Sequence, residues 1–183
     1  MSSPPTLPPI SSLPTAATAT QTAALDTLFE PSPALHALAL PTLHSTTFNF
    51  PSYAALITQV GSLLSQLATT ATPEATARLH EILGSHPRLG APKVASALSA
   101  AEQAQLRCGD GEAEKLRALN AEYEARFPGL RYVVFVNGRS RPVVMEDMRR
   151  RIDRGDIRKE EGEAIQAMVD IALDRARKIE AIS

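Results

Sequence analysis

The chain has 183 residues, of which 44% are hydrophobic and only 4% aromatic, and its formal net charge is −1. This length is typical of a single domain, and the chain lacks the basic excess with which proteins hold a phosphate backbone, so we expect no nucleic-acid partner. No apolar run approaches the roughly 20 residues of a membrane-spanning helix, so we expect no membrane partner.

Alanine is abundant and glycine scarce, a composition that favours helices. We therefore predict an all-α fold: a single domain of about seven to nine helices with one short extended segment, over residues 20–183. Residues 1–19 are rich in Pro, Ser and Thr. Because proline supplies no backbone hydrogen-bond donor, we predict that these residues form a disordered N-terminal lead.

The first residues lack the basic and then apolar regions of a secretory signal, so we do not expect secretion. Cys108 is the only cysteine and cannot form an intramolecular disulfide, which fits a reducing compartment. Its surroundings, Arg107-Cys108-Gly109-Asp110-Gly111, are typical of a helix that ends in a turn. We interpret Cys108 as a spectator rather than a nucleophile.

Helix start signals recur in the first half of the chain. After a first helix from about Thr20, Ser32 precedes Pro33, and Thr72 precedes Pro73, so each pair combines a capping hydroxyl with a proline in the first helical position. Between them, an apolar stripe with helical spacing begins after Ser52. We predict that helices begin directly after Ser32, Ser52 and Thr72.

His86 lies just past Gly84, which ends the helix that begins after Thr72. The unpaired carbonyls of a helix C-terminus favour a proton on the imidazole, and Pro87 restricts the backbone that carries it. A fixed imidazole suits acid–base catalysis. A surface or capping histidine is the competing interpretation.

Ser99 and Glu102 have the spacing of a capping box, in which a serine hydroxyl and a glutamate carboxylate each accept a backbone N–H. That role accounts for both residues. The alternative is functional, because a carboxylate in a first helical turn lies beside several amide donors and could share a polar ligand with them.

The second half of the chain predicts a charged helix, an extended segment and two more helices. Asn120 lies near the apolar stripe of the charged helix and needs a polar partner. The β-prone run from Tyr132 to Val136 precedes a turn signal, but a poor strand headed by Pro142 follows it, so we predict a buried extended segment rather than a hairpin. A helix follows from Pro142, and the last helix spans about residues 159–179.

Four sequence motifs occur in this order along the chain: His86-Pro87-Arg88-Leu89-Gly90, Ser99-x-x-Glu102-Gln103, Asn120-x-x-Tyr123-x-x-x-Phe127 and Arg175. From about Leu25 to the C-terminus, the chain resembles the 2-oxo-4-hydroxy-4-carboxy-5-ureidoimidazoline (OHCU) decarboxylases of urate degradation. The resemblance implies an all-helical homodimer that needs no metal or organic cofactor. It also implies decarboxylation of this small molecule to (S)-allantoin and CO2, in the cytoplasm or the peroxisome.

The resemblance assigns roles to particular residues. His86 and Glu102 match the catalytic histidine and carboxylate. The residues that match substrate-binding positions are Pro87, Ser99, Glu102, Gln103, Tyr132, Val133, Val134, Phe135, Val136 and Arg175. By the same resemblance, the main chain of residues 132–136 is expected to lie beside the substrate ring. Arg175 would fix a carboxylate directly or act through Glu102, and Arg151 is the alternative to it.

Two other classes of function compete with catalysis. A helical interaction module that keeps the scaffold without the activity would make His86 dispensable. A nucleic-acid patch built on Arg149, Arg150 and Arg151 is the weaker rival, because three consecutive arginines cannot all face one way on a helix.

Overall fold

The computed structural model describes residues 6–45, 50–91, 97–104 and 110–181. Within these ranges the chain forms one 3-10 helix, Ile10–Thr15, and eight α-helices, with no β-strand. The α-helices are α1 (Thr18–Phe29), α2 (Pro33–Leu43), α3 (Tyr53–Thr70), α4 (Pro73–Leu83), α5 (Ala97–Ala104), α6 (Asp110–Arg126), α7 (Arg141–Arg154) and α8 (Ile157–Glu180). The predicted all-α class and number of helices are confirmed for the described residues.

The predicted helix starts are confirmed by their caps. The hydroxyls of Ser32, Ser52 and Thr72 each accept the backbone N–H of the third following residue, at 3.2 Å. The helix α8 begins two residues earlier than predicted. Its start is set by the Asp156 carboxylate, which accepts the N–H of Arg158 at 3.1 Å and of the next residue at 3.2 Å.

The N-terminal lead differs from the prediction. Residues 10–15 form the 3-10 helix, and Leu13 is fully buried in the core. Side chains of the domain bind the carbonyls of this segment: the Gln21 amide donates to Leu13 at 3.0 Å, and the Tyr53 hydroxyl donates to Pro8 at 2.7 Å. A proline residue lacks the backbone N–H but keeps its carbonyl oxygen. The segment is therefore held in place by carbonyl oxygens that accept hydrogen bonds and by the buried side chain of Leu13. Residues 1–5 lie outside the described ranges.

The helix α8 runs through the middle of the domain and packs against α1, α3 and α4. It approaches α3 closely at Gly61, where an added Cβ atom would lie 2.7 Å from Cγ2 of Val169. In the second half of the chain, α6 packs against α7. No helix among the described residues is long and apolar enough to cross a membrane.

An extended segment, residues 130–136, connects α6 to α7, as predicted. Leu130, Tyr132, Val133 and Val136 are buried. The chain then turns at residues 137–138, where φ is positive, and it enters α7 instead of a second strand. The predicted extended segment is therefore confirmed, and it lies near the second half of α8.

We expect Gly61→Ala to lower the free energy of unfolding. Alanine in place of glycine inside a helix gains about 0.5–1 kcal/mol. Forcing a methyl group into a filled space costs about 1–3 kcal/mol. Here Val169 cannot turn away freely, because a β-branched side chain in a helix has one strongly preferred rotamer.

Gly162→Ala on α8 is the matched control, because nothing lies within 4 Å of the added Cβ atom. It should raise the free energy of unfolding by about 0.5–1 kcal/mol. Denaturant unfolding measures both variants. A Gly61→Ala protein as stable as the Gly162→Ala protein would contradict the close packing of α3 on α8.

Candidate active site

A cavity of about 200 Å³ lies between the turn after α4, α5, the extended segment and the second half of α8. Many sequence-predicted site residues line it: His86, Pro87, Ser99, Glu102, Gln103, Tyr132, Val133, Val134, Phe135 and Val136. Asp174 and Lys178 of α8 line it as well. Cavities for drug-sized ligands hold about 300–1,000 Å³, so this one suits a small metabolite.

His86 forms a buried wall of the cavity, with 5% of its surface exposed. Neither ring nitrogen has a hydrogen-bond partner among the described residues. Burial lowers the pKa of His86 to about 4, the positive charge of Arg175 adds to this shift, and Glu30 opposes it. The prediction that the helix end favours a protonated imidazole is therefore wrong, because burial and Arg175 outweigh that field. At neutral pH the ring is uncharged and can accept a proton.

Two side-chain amides hold the turn that carries His86. The Gln103 side chain accepts the N–H of Gly90 at 2.8 Å and donates to the carbonyl of Arg88 at 3.2 Å. The Asn120 side chain donates to the carbonyl of Leu89 at 3.0 Å, which is the partner that its position near the core required. Gln103 thus has a demonstrable role in positioning the turn, and its predicted substrate contact stays a prediction.

Glu102 is held by Arg175 through a two-pronged ion pair. Nε of Arg175 donates to Oε1 of Glu102 at 2.8 Å, and NH2 donates to Oε2 at 2.9 Å. The same NH2 contacts Oε1 of Glu30 at 2.7 Å and Oγ of Ser99 at 2.8 Å. Arg175 is 1% exposed and is not among the described residues that line the cavity. Of its two predicted roles, the geometry favours action through Glu102.

The capping-box interpretation of Ser99 and Glu102 is wrong. Ser99 lies inside α5 rather than before it, and its hydroxyl donates to Oε1 of Glu30 at 2.5 Å. The Glu102 carboxylate faces Arg175. A guanidinium is the stronger partner, since charge-assisted hydrogen bonds are roughly twice as strong as neutral ones. Both residues therefore belong to the buried ionic cluster of Glu30, Ser99, Glu102 and Arg175, which we call the Arg175 cluster.

Glu30 is the member of this cluster that the sequence analysis missed, because its partners Ser99 and Arg175 lie far from it in the sequence. Glu30 is 3% exposed, and its backbone has φ 76° and ψ 151°. This conformation is nearly confined to glycine and costs about 1–3 kcal/mol in other residues. The contacts of the carboxylate with Ser99 and Arg175 hold the residue in it. An acidic residue at the end of an apolar helix was the available signal.

Arg151, the alternative to Arg175, lies behind the extended segment and is not one of the described residues that line the cavity. Its guanidinium stacks over the Tyr132 ring at 4.7 Å and donates to the Val133 carbonyl at 3.3 Å. The buried Glu160 carboxylate pairs with it. Arg151 therefore supports the wall of the cavity from outside.

The remaining predicted features are not part of the cavity. Arg149 and Arg150 lie on the surface and pair with Glu122 and Asp147, so two of the three arginines are solvated, as expected. Cys108 lies outside the described residues. Among the described residues, no group of three or more His, Cys, Asp or Glu side chains has the arrangement of a metal site.

A model of the OHCU decarboxylase family matches residues 14–177 of the chain. The match begins within the segment that we had placed outside the resemblance. Among solved structures, one match is a crystal structure of (S)-allantoin synthase, with 17% sequence identity and a TM-score of 0.61. The alignment covers 93% of this chain and 53% of that chain, so this chain spans about half the length of that protein. No match was found among curated proteins.

We expect the free energy of unfolding to fall by about 2 kcal/mol more between pH 7 and pH 5 in the wild type than in His86→Asn. The unfolded chain protonates His86 at its ordinary pKa of about 6.5. In the folded chain this pKa is lowered to about 4. Stability therefore falls as pH drops through this window. Denaturant unfolding of both proteins at the two pH values measures this difference. Equal losses of unfolding free energy in the wild type and in His86→Asn would show that the pKa of the buried imidazole is not lowered.

We expect Glu30→Gln to destabilise the fold by about 1–3 kcal/mol, because it weakens the charge-assisted hydrogen bonds from Ser99 and Arg175 while Glu102 still neutralises the guanidinium. The matched control is Glu124→Gln, which breaks the more exposed pair with Arg88. A surface pair of that kind contributes about 0–1 kcal/mol. Thermal and denaturant unfolding of both variants make the comparison. Equal, small losses would show that Arg175 does not depend on Glu30.

Proposed function

Because this chain belongs to the OHCU decarboxylase family, we propose that it converts 2-oxo-4-hydroxy-4-carboxy-5-ureidoimidazoline into (S)-allantoin and CO2 in urate degradation, without a cofactor. The observation that carries the proposal is the cavity in which His86 and Glu102, distant in the sequence, meet. The buried imidazole has no hydrogen-bond partner among the described residues, so it is free to act on a ligand.

The proposed substrate contains its own electron sink. When the bond to the carboxylate breaks, the electron pair forms a double bond to the neighbouring ring carbon, and the pair of the C=N bond moves to nitrogen, which takes a proton. The resulting enol then loses its hydroxyl proton and gains a proton on carbon. The protein needs only to orient the substrate and to move protons, which positioned side chains accomplish.

His86 is the proton carrier in this proposal. An imidazole that is neutral at neutral pH can accept the hydroxyl proton and return it to carbon, and delivery from one face gives a single enantiomer. A positioned general base of this kind contributes about 100-fold to 10,000-fold to the rate. The lowered pKa of His86 keeps the ring in its neutral, proton-accepting form at neutral pH, although the same shift makes the free ring a weaker base, so the proton is held on His86 only for return to the carbon.

Glu102 and the extended segment orient the substrate in this proposal. The Glu102 carboxylate, fixed by Arg175, accepts a hydrogen bond from the hydroxyl or a ring N–H. The N–H groups of Tyr132 to Val136 donate to no backbone carbonyl among the described residues. Successive N–H groups of an extended segment point to opposite sides, so those on the cavity side are the ones proposed to bind ring and ureido oxygens. The carbonyls of Val133 and Phe135 are already taken by Arg151 and Arg139.

We also propose a homodimer in the cytoplasm or the peroxisome. The support for both is the family to which the chain belongs. The mass of the protein in solution, measured by light scattering, tests the dimer.

The activity test generates the substrate in situ from urate and follows (S)-allantoin by circular dichroism. We expect the protein to accelerate its appearance above the spontaneous racemic background. His86→Asn should lower kcat by about 100-fold to 10,000-fold, because the proton carrier is lost. Glu102→Gln, which keeps the shape but not the charge, should also lower kcat.

If the folded wild-type protein leaves the background rate unchanged, the proposed activity is wrong. That result would favour the rival class, a helical interaction module that keeps the decarboxylase scaffold. A folded, fully active His86→Asn protein would leave the activity in place and remove His86 from the chemistry.

A further inference from the structure

The proposed substrate carries a carboxylate, and the cavity presents a problem to any anion. Two of its lining side chains, Glu102 and Asp174, carry carboxylates themselves. The histidine in its wall is buried and contributes no positive charge at neutral pH. An anionic ligand that enters such a site needs a cation that faces it, since like charges repel more strongly where water is scarce.

Arg175 does not supply that cation. Its Nε and NH2 groups are directed at Glu102, Glu30 and Ser99, and its NH1 lies 3.4 Å from carbonyls at the end of α1. It is 1% exposed and lies behind Glu102. One guanidinium between two carboxylates leaves the Arg175 cluster with an excess negative charge.

We propose that Lys178 binds the substrate carboxylate at the mouth of the cavity, with Asp174 holding the ammonium group in place. This inference rests on the proposed function and adds a binding residue to it. Among the described residues that line the cavity, Lys178 is the only lysine or arginine. Its Nζ lies 2.6 Å from Oδ2 of Asp174, four residues earlier on α8.

The ammonium group of Lys178 can leave Asp174 and pair with a ligand instead. The side chain of Lys178 is 60% exposed, and an exposed ion pair of this kind contributes little stability. Asp174 also accepts a hydrogen bond from NH2 of Arg177 at 2.9 Å, so it keeps a cationic partner when the ammonium turns to a ligand. A flexible lysine stem allows that movement.

The position of Lys178 determines which kinetic constant it controls. An ammonium group at a solvated mouth pairs with the carboxylate before bond breaking, and this pairing weakens as CO2 forms, because the negative charge moves into the ring. Binding of the ground state alone lowers KM and gives no gain in kcat. Lys178 therefore captures the anion, whereas His86 moves the proton.

The chain offers a matched control. Arg177 also pairs with Asp174 and lies on the same helix, but it does not line this cavity among the described residues. Lys178→Gln and Arg177→Gln therefore remove the same charge from neighbouring positions. Two ligands complete the design: allantoin, which is neutral, and its ring-opened carboxylate, allantoate.

We expect Lys178→Gln to raise KM, and the inhibition constant of allantoate, by about threefold to tenfold, as loss of one partly exposed charge contact predicts. The value of kcat should not fall, because the ammonium group stabilises the bound carboxylate and not the transition state. Inhibition by allantoin should stay within about twofold of the wild type, because a neutral ligand makes no use of the ammonium group. Arg177→Gln, which acts on the site only through Asp174, should change each of these constants by less than about twofold, and Lys178→Arg should restore the affinity for allantoate.

Equal effects of Lys178→Gln and Arg177→Gln would overturn the proposal, because they would indicate a general charge effect. Unchanged KM and allantoate inhibition in Lys178→Gln would overturn it while the decarboxylase activity stands. If the wild type shows no activity, calorimetric binding of allantoate and allantoin to the same variants decides the role of Lys178 separately. A loss confined to allantoate in Lys178→Gln would support it.

Discussion

The buried guanidinium of Arg175 is the interaction on which the site depends. It lies where α1, α5 and α8 meet, and it joins Glu30 of the first of these segments to Ser99 and Glu102 of the second, which lie far from Glu30 and from Arg175 in the sequence. A charge this deep in a protein is tolerated only when its donors are satisfied. The helices are therefore constrained to bring two carboxylates and a hydroxyl to one point, and the orientation of Glu102 toward the cavity follows.

The same charges set the state of His86. Burial removes water from the imidazole, and Arg175 disfavours a second positive charge beside it, while Glu30 acts in the opposite direction. The result is a ring that is uncharged yet close to ionic groups. One arginine thus has two consequences: it fixes the carboxylate, and it helps to keep its neighbouring base in the form that accepts protons.

Local patterns predicted the fold well and the Arg175 cluster poorly. The caps at Ser32, Ser52 and Thr72 were predictable because they act over three residues. The extended segment was predictable because Pro142 argued against a second strand. Ser99 and Glu102 were misread as a cap, since nothing near them in the sequence indicates an arginine 76 and 73 residues away. Glu30 was missed for the same reason, because its partners become neighbours only after the helices pack.

The attachment of the N-terminal segment has a practical consequence for truncated versions of the protein. The Tyr53 hydroxyl and the Gln21 amide both depend on carbonyls that precede α1, and Leu13 fills part of the core. A fragment that starts at residue 20 would expose apolar surface and leave both polar groups to water. Expression boundaries for this domain should therefore be drawn ahead of Pro8, even though the proline content there resembles that of a dispensable tail.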